Sequence, residues 1–314
     1  MNSHIKTHAD FKPAPFEIEG CYRITKRIAA FDETGTPFHK IELSNASQTV
    51  RANVYDSPYI DLAHQRYLEL VYVAGEIIVD EEVPLIDLAY LRRADTHAEG
   101  IAPLSTLPLS LAPSRRAISF LANIAARIEN PHLRRFVRAN MDRSDRIELF
   151  LNVPASISYH HAYRGGLAVH TSEVVRNVIG MINTSEPDMP RDIIETAVVA
   201  ALFHDIGKIR MYGLNGRPTE AIQLLEHDAL TLELCADGFK TLDTHEPHLA
   251  MLLRHIWTCS SPGARYGKEP MHTIPRYLRD ADAQSANADS YRIARSGSKV
   301  NGISRVGKQR YWLL

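Results

Sequence analysis

The hydrophobic pattern of this chain changes period once, and that change limits the folds open to it. In the first hundred residues, segments such as 38–43 and 49–55 alternate apolar and polar side chains between turns rich in Gly, Pro, Asn and Asp. A period of two is typical of β-strands with one buried face. Further along, apolar residues recur at helical spacing, as at Ile118 and Leu121. The sequence therefore predicts an α+β multidomain protein, with a β-rich domain before an all-α domain.

The alternating segments predict a small closed β-barrel over residues 16–100. Their lengths and turns fit a five-stranded barrel of the oligonucleotide-binding (OB) type. A segment with Pro and Ser at 101–114 is predicted to be the linker to a helical domain at 115–290. Residues 291–314 are predicted to form a basic, aromatic C-terminal tail.

Aromatic and basic residues of the barrel are candidates for binding single-stranded nucleic acid. OB-type barrels stack bases on aromatic rings and hold phosphates by positive charge. The alternative is that these residues reflect β propensity alone. The candidates are Phe38, Lys40, Arg51, Tyr55 and Tyr72.

Composition narrows the range of functions. A chain of 314 residues with 45% hydrophobic and 23% charged residues suits two folded domains. The net charge of -1 excludes a bulk polycation, so binding of nucleic acid must depend on local patches. Three scattered cysteines predict reduced thiols. Because no apolar run of about 18 residues and no leader pattern occurs, we expect a cytoplasmic protein without a membrane span.

An apolar run at 193–203 leads directly into the adjacent pair His204 and Asp205. His170 lies one helix and one turn earlier, so an antiparallel return of the chain would bring it close to this pair. Asp282 lies among small residues, as is common in a helix packed near a metal site. Two imidazoles and two carboxylates suit a divalent cation such as Mn²⁺, Fe²⁺ or Zn²⁺, although a single histidine is more often structural. The sequence therefore predicts a metal site held by these four residues.

Polar and cationic residues near the predicted metal site are candidates for stabilising a phosphoryl group. His160, His161 and Arg164 precede a Gly-Gly turn, which would allow close approach of the backbone to a phosphate. Lys208 follows the His-Asp pair, where the alternative is a solvated lysine at a helix end. As groups that neutralise charge or donate a proton, these four join Asp205 as the predicted catalytic residues.

The predicted C-terminal tail combines positive charge with aromatic rings. Such a combination follows phosphate backbones and stacks on bases, but a basic tail is equally often a solubilising end. The sequence leaves both interpretations open. The residues concerned are Arg292, Arg295, Lys299, Arg305, Lys308 and Arg310 with Tyr291, Tyr311 and Trp312.

The order of the predicted ligands, His170, His204-Asp205 and Asp282, resembles the HD superfamily of metal-dependent phosphohydrolases. More narrowly, the segments YHHAYRGGLAVHTSEV, ALFHDIGKI, LLEHDAL and RHIWTCSSPG resemble YhaM-type 3′-to-5′ exoribonucleases. In that family an OB barrel precedes the HD domain. The resemblance spans about residues 16–290. It implies an α-helical HD domain, a bound divalent cation and hydrolysis of phosphodiesters.

The chain departs from that family at the positions of a second metal ion. Ser260, Ser261 and Pro262 stand where the family carries His-His-Gly. Those histidines resemble the second-ion ligands of related two-metal HD enzymes. The resemblance therefore implies an incomplete second site, with His227 and His255 as its remaining members.

A further departure keeps a role with DNA open. Ser285 stands where the family has a second aspartate. The segment HHAYRGGL and the residues around Ser285 also resemble the TraI-like HD domains of conjugative-transfer proteins.

Three functions follow from these patterns. The first is a metal-dependent phosphodiesterase of single-stranded RNA or DNA, a 3′-to-5′ exonuclease with RNA favoured. The second is an HD phosphohydrolase of free nucleotides, for which the barrel would be superfluous. The third is a nucleic-acid-binding or mobilisation accessory protein with a partly degenerate metal site. Mn²⁺ is the favoured ion, with Mg²⁺, Fe²⁺ and Zn²⁺ as alternatives, and assembly into a homo-oligomer is left open.

Overall fold

The computed structural model describes residues 17–55, 67–79, 82–96, 98–260, 267–297 and 302–314. Within these ranges a β-barrel is followed by a helical region and a C-terminal hairpin. The barrel strands are β1 (Glu17–Phe31), β2 (Pro37–Ser44), β3 (Thr49–Val54), β4 (Leu70–Val79) and β5 (Leu85–Arg93). The helices are α1 (Arg115–Ala126), α2 (Pro131–Met141), α3 (Ser144–Asn152), α4 (Gly166–Ser185), α5 (Arg191–Phe203), α6 (Ala221–Leu224), α7 (His227–Leu234), α8 (Ala236–His245), α9 (Pro247–Thr258) and α10 (Ile274–Gly297). The hairpin strands are β6 (Gly302–Val306) and β7 (Gln309–Leu313).

The first five strands close into a barrel in the order β1-β2-β3-β5-β4, because β1 pairs with both β2 and β4. Among the described strands of the barrel, β3 and β5 are the parallel pair. In β3 the alternation of the sequence becomes an inner and an outer face. Val50, Ala52 and Val54 are buried, whereas Arg51 and Asn53 face outward. The predicted OB-like barrel is confirmed.

The helical region surrounds α5, whose residues from Glu195 to Phe203 are all buried. From Ala197 to Phe203 the helix is apolar on every side, so this part must lie inside a core, and it ends directly at His204. Helix α4 packs against α5 and α10, while α9 covers α5 from another side. Trp257 on α9 donates its indole N–H to the carbonyl oxygen of Ala200 at 3.1 Å. The prediction of an all-α region after the barrel is confirmed.

Residues 101–114, predicted as a linker, pack against both the barrel and the helices. Leu104 and Leu107 are buried in the helical core. The backbone N–H of Leu109 donates to the carbonyl oxygen of Asn45 in the barrel at 3.1 Å. The segment therefore attaches the barrel to the helical region.

Arg23 on β1 strengthens that attachment. It is almost completely buried, and its guanidinium donates to the carbonyl oxygens of Leu68 at 3.0 Å and Asp142 at 2.7 Å. A third bond, of 3.1 Å, goes to the hydroxyl of Thr106. Burial lowers the pKa of Arg23 to about 10, so the side chain keeps its charge at neutral pH. One side chain thus links the barrel, the 101–114 segment and the end of α2.

The C-terminal segment 291–314 comprises the end of α10 and the hairpin of β6 and β7. Tyr311 on β7 packs edge-to-face on Tyr291 of α10, with ring centroids 5.9 Å apart. Lys299 lies outside the described residues. None of the helices in the described ranges is long and apolar enough to cross a membrane.

Candidate metal centre

Three helices bring the four predicted metal ligands together. Helix α4 carries His170 near its N-terminus, α5 ends at His204 and Asp205, and α10 carries Asp282. Nε2 of His170 lies 3.3 Å from Nε2 of His204 and 3.0 Å from Oδ1 of Asp282. Oδ2 of Asp205 lies 3.4 Å from Nε2 of each histidine. The four side chains therefore converge on one point, which is buried except on the side of Asp282.

The spacing of these atoms fits a divalent cation. The candidate ligand atoms of His170, His204 and Asp282 all lie within 4.8 Å of one another. Zn²⁺ and Mg²⁺ hold nitrogen and oxygen ligands at about 2.0–2.2 Å, so neighbouring ligand atoms around such an ion lie roughly 3 Å apart. The contacts of 3.0–3.4 Å match this spacing. Asp205, whose Oδ2 lies 3.4 Å from both imidazoles, adds a second carboxylate beside these three ligands.

Hydrogen bonds on the far side of each imidazole turn its Nε2 toward the centre. Nδ1 of His204 lies 2.9 Å from the carbonyl oxygen of Ala201, which accepts only, so Nδ1 carries the proton. Nδ1 of His170 lies 3.0 Å from the hydroxyl of Ser285. That hydroxyl donates its own proton to Oε2 of Glu173 at 2.7 Å, so it accepts from His170. In both neutral imidazoles the lone pair at Nε2 is therefore free to bind a cation.

The electrostatics of the cluster also favour a cation. Burial would raise the pKa of Asp205, but Lys208, His204 and His170 hold it well below its usual range. Burial lowers the pKa of His170, yet its hydrogen bonds with Asp205 and Asp282 outweigh burial and raise that pKa to about 9. The carboxylates are thus charged at neutral pH, and a binding cation would displace a proton from His170.

The chain after Asp205 adds Lys208 and His227 to the cluster. Nζ of Lys208 donates to Oδ2 of Asp205 at 2.6 Å, and Nε2 of His227 lies 3.3 Å from Oδ1 of the same carboxylate. Gly207 makes this possible, because a Cβ at that position would lie 2.0 Å from the carbonyl oxygen of His227. Its backbone N–H donates to the hydroxyl of Thr231 on α7 at 3.0 Å. Gly207 therefore lets the first turn of α7 pack directly beside Asp205.

His160 and His161 lie on the other side of His170. The ring centroids of both are 5.2 Å from that of His170, and their nitrogens form a second group of potential metal ligands with it. Burial lowers the pKa of His160 to about 4, so its imidazole is neutral at neutral pH. His161 is completely buried, and its φ of 48° lies in the left-handed region. The Gly-Gly turn accommodates this loop, since a Cβ on Gly166 would lie 1.9 Å from the carbonyl oxygen of His161.

Arg164 and His255 form their described hydrogen bonds away from the cluster. Nε of Arg164 donates to the side-chain oxygen of Asn152 at 2.6 Å. Nε2 of His255 accepts the backbone N–H of Met271 at 2.9 Å, so this nitrogen is already engaged. Ser261 and Pro262 lie outside the described residues.

Sequence reasoning missed a polar network behind His161 and His170. Nε2 of His161 lies 3.2 Å from Oε2 of Glu173, and Arg292 donates to Glu173 at 3.0 Å and to Asp289 at 3.1 Å. Asp289 in turn accepts the backbone N–H of His161. Glu173 follows His170 by three positions, which places both on one face of α4, and this spacing was the available signal.

The barrel carries a groove on the outer face of β1, β2 and β3, with a volume of about 410 Å³. Lys40 lies opposite Asn53 across the sheet, and Glu42 lies opposite Arg51 and Lys26. The outward side chains thus alternate between positive, neutral and negative groups. The groove is lined by Lys26, Ile28, Lys40, Ile41, Glu42, Arg51, Ala52, Asn53 and Leu85.

Four of the five predicted substrate-binding residues share this outer face. Phe38 stacks on Tyr55 with ring centroids 5.0 Å apart, and Nζ of Lys40 lies 5.8 Å from the centre of the Phe38 ring. Arg51 donates to the carbonyl oxygen of Val83 at 2.9 Å. Tyr72 does not join them, because it is buried on β4 in a separate cluster. Its hydroxyl donates to Glu19.

Fold and site together define a class of protein. Its members have an OB-like barrel before a helical region, and the helical region contains a buried cluster of His and Asp that could hold a metal ion. Within that class, the chain is similar to the 3′-5′ exoribonuclease YhaM of Oceanobacillus iheyensis, with 25% identity over 296 residues. The match covers 88% of this chain and 84% of the relative, so it includes both barrel and helices. No family model matches the sequence, and no solved structure gives a significant match. The similarity supports a YhaM-like relationship.

Proposed function

We propose that the protein is a metal-dependent phosphodiesterase that degrades single-stranded nucleic acid from the 3′ end, with RNA as the favoured substrate. The observation that carries this proposal is the convergence of His170, His204, Asp205 and Asp282 at the spacing of metal ligands. The similarity to an exoribonuclease along both barrel and helices supports nucleic acid as the substrate. We further propose that the helical region is an HD domain and that the protein acts in a reducing cytoplasm, which its three free thiols support.

We propose Mn²⁺ as the ion, held by the four converging side chains, with one ion as the basic requirement. A bound cation of this kind lowers the pKa of a water molecule and polarises a phosphoryl oxygen. His227 is the residue best placed to assist these four ligands in holding the ion, because its Nε2 lies 3.3 Å from Oδ1 of Asp205. A complete second site receives less support, because Nε2 of His255 is occupied by Met271.

The neighbouring side chains suit the charge that develops during hydrolysis of a phosphodiester. Lys208 brings a positive charge to the edge of the cluster, where negative charge builds on the phosphoryl oxygens. His160 is neutral at neutral pH, so it can offer a lone pair to a cation but brings no positive charge to a phosphate. Arg164 donates to Asn152 through Nε, so it would contact a phosphate through the terminal N–H groups of its guanidinium. His161 is buried against Glu173, a position that suits orientation of the loop.

The experiment is a hydrolysis assay on single-stranded RNA labelled at its 5′ end. We expect Mn²⁺ to stimulate stepwise shortening with release of mononucleotides, and Asp205→Ala and Asp282→Asn to abolish it. Asp280→Asn is the matched control, since Asp280 is exposed on the same helix as Asp282 and should retain activity. Intact RNA with the wild-type protein and Mn²⁺ would exclude the proposal.

The same assay separates the alternatives. Hydrolysis of free nucleotides in place of the oligomer would identify a nucleotide phosphohydrolase. Binding of the oligomer without hydrolysis, with less than one metal ion per chain, would identify a nucleic-acid-binding protein with a degenerate site.

A further inference from the structure

The C-terminal hairpin presents one exposed face of unusual composition. Ile303 lies directly opposite Trp312, and Arg305 lies directly opposite Arg310. All four side chains are exposed, with Ile303 at 73% and Trp312 at 70%. Because side chains alternate along a strand, these residues form a single surface, called here the hairpin face.

The opposite face fixes the hairpin to the rest of the molecule. Tyr311 packs on Tyr291, and the hydroxyl of Ser304 donates to the carbonyl oxygen of Ala294 at 3.4 Å. Gln309 donates to the side chain of Asn287 at 3.2 Å. Helix α10 therefore holds the hairpin face outward, and this helix also carries Asp282 of the candidate metal centre.

Among the residues that the structure describes, the pair of arginines on the hairpin face has no acidic partner. None of the ion pairs or hydrogen bonds within the described residues involves the side chain of Arg305 or Arg310. Like charges directly opposite each other on neighbouring strands are destabilising, and the destabilisation is relieved when an anion binds between them. An aromatic ring and two cations on one sheet face match the stacking and phosphate contacts of a single nucleic-acid strand.

The tip of the hairpin reaches the loop that carries His160. A Cβ on Gly307 in the turn would lie 2.8 Å from a ring carbon of Tyr159, so the turn packs directly against that ring. Arg305 lies only two residues from Gly307, roughly 7 Å along a strand. A strand of nucleic acid on the hairpin face would therefore run alongside the loop that borders the candidate metal centre.

We infer that the hairpin face is a binding site for single-stranded nucleic acid, in which Trp312 stacks on a base and Arg305 and Arg310 bind phosphates. This inference rests on the proposed function for its substrate class and adds a contact surface separate from the barrel groove. The charge of the face distinguishes a polyanionic strand from a second copy of this chain, whose matching face would repeat the two arginines.

The test uses the fluorescence of Trp312 in the full-length protein without divalent ions, so that binding is measured without hydrolysis. The chain has 2 tryptophans, and the other, Trp257, is buried against Ala200. A single-stranded oligoribonucleotide of about 12 nucleotides is expected to quench the emission. Trp312→Phe keeps a ring for stacking and should remove the quench, while Trp312→Ala should weaken binding roughly tenfold, measured with a labelled oligomer.

The arginines are tested by the salt dependence of the same binding. Arg305→Ser/Arg310→Ser should lower the slope of log affinity against log salt by about 1.4, as expected for two lost phosphate contacts. The matched control is Arg127→Ser/Lys240→Ser, which removes two exposed cations, one directly after α1 and one on α8. Circular dichroism checks that each variant is folded.

The inference is overturned if the oligomer leaves the emission of Trp312 unchanged, or if the arginine variant binds as the control variant does. It is also overturned if Trp312→Ala changes only the sedimentation of the protein, since the face would then be a contact between copies. Binding with these signatures but no hydrolysis by the wild type would reject the proposed function alone. Hydrolysis by the wild type without the fluorescence quench and the change in salt dependence would reject the role of the hairpin face alone.

Discussion

Glu173 orients His170, one ligand of the candidate metal centre, through the hydroxyl of Ser285. It accepts the hydroxyl proton of Ser285, which fixes the proton of His170 on Nδ1 and leaves Nε2 for a cation. Partners of this kind typically change metal affinity 10- to 100-fold when removed. His161 and Arg292 contact the same carboxylate, so its loss would affect both sides of His170.

We therefore expect Glu173→Gln to bind Mn²⁺ roughly 10- to 100-fold more weakly, measured by titration calorimetry. Ser285→Ala should act in the same direction, because it removes the same link. Glu186→Gln, at the far end of α4 and bonded to Tyr277, is the control that should leave the affinity unchanged. Equal affinity in Glu173→Gln and the wild type would show that His170 is oriented without this link.

The charge of Glu173 also predicts a dependence of stability on pH. Burial would raise its pKa, but hydrogen bonds from His161, Ser285 and Arg292 lower it from 4.5 to about 2. A lowered pKa stabilises the folded state fully above about pH 4.5, and this contribution is lost as the pH falls toward 2. The shift corresponds to something on the order of 3 kcal/mol.

In metal-free protein, we expect the difference in unfolding free energy between wild type and Glu173→Gln to be largest near pH 7. It should decrease steadily below pH 4.5, because the side chain then takes up a proton in the unfolded chain while it is still charged in the folded protein. Below about pH 2 the side chain is protonated in both states and resembles Gln. Urea unfolding at a series of pH values measures this difference. A difference that stays constant down to pH 3 would mean that the charge of Glu173 does not contribute to stability.

At the scale of elements, the centre depends on close packing between α7 and the 3-10 turn Ile206–Arg210, and Gly207 permits that packing. We expect Gly207→Ala to destabilise the protein by roughly 1–3 kcal/mol, because its Cβ would meet the carbonyl oxygen of His227. Metal binding should weaken as His227 moves away from Asp205.

Gly180→Ala is the matched control for this substitution. Gly180 lies inside α4, and a Cβ there has nothing within 4 Å. Alanine in a helix interior should stabilise by about 0.5–1 kcal/mol. Thermal unfolding of both variants tests the prediction, and equal melting temperatures would contradict it.

At the scale of the whole molecule, local patterns in the sequence predict the secondary-structure elements and some of the ligands, but not the contacts between distant elements. Alternation in β3 and the apolar run before His204 predict their elements because burial follows the period of the backbone. The pairing of His204 with Asp205 is visible because the two are adjacent. The contact of Ser285 with Glu173 spans 112 positions and depends on how α10 packs on α4, which no local pattern records.

The same limit applies to the two predicted binding surfaces. Alternation predicts that Phe38 and Lys40 share a face, but it does not predict that Tyr72 lies in a separate buried cluster. The aromatic and basic composition of residues 291–314 is visible in the sequence. That Arg305 and Arg310 lie opposite each other follows only from the register of the hairpin.

The arrangement of barrel and helices as one molecule leads to a prediction about substrate length. Arg23 and the 101–114 segment attach the barrel to the helical region, so the barrel groove keeps a fixed position relative to the metal centre. A dinucleotide is too short to occupy both. Lys26→Ser/Lys40→Ser should therefore raise the KM for a long oligonucleotide roughly five- to thirtyfold and leave hydrolysis of a dinucleotide unchanged.

Steady-state kinetics on both substrates measure this effect. Arg27→Ser/Arg93→Ser is the matched control, since both arginines are exposed on the barrel outside the groove lining and should leave both KM values unchanged. If Lys26→Ser/Lys40→Ser lowers kcat on the dinucleotide as well, the barrel would act on the centre itself. An unchanged KM for the long substrate would mean that the strand follows another path, for which the hairpin face is the proposed surface.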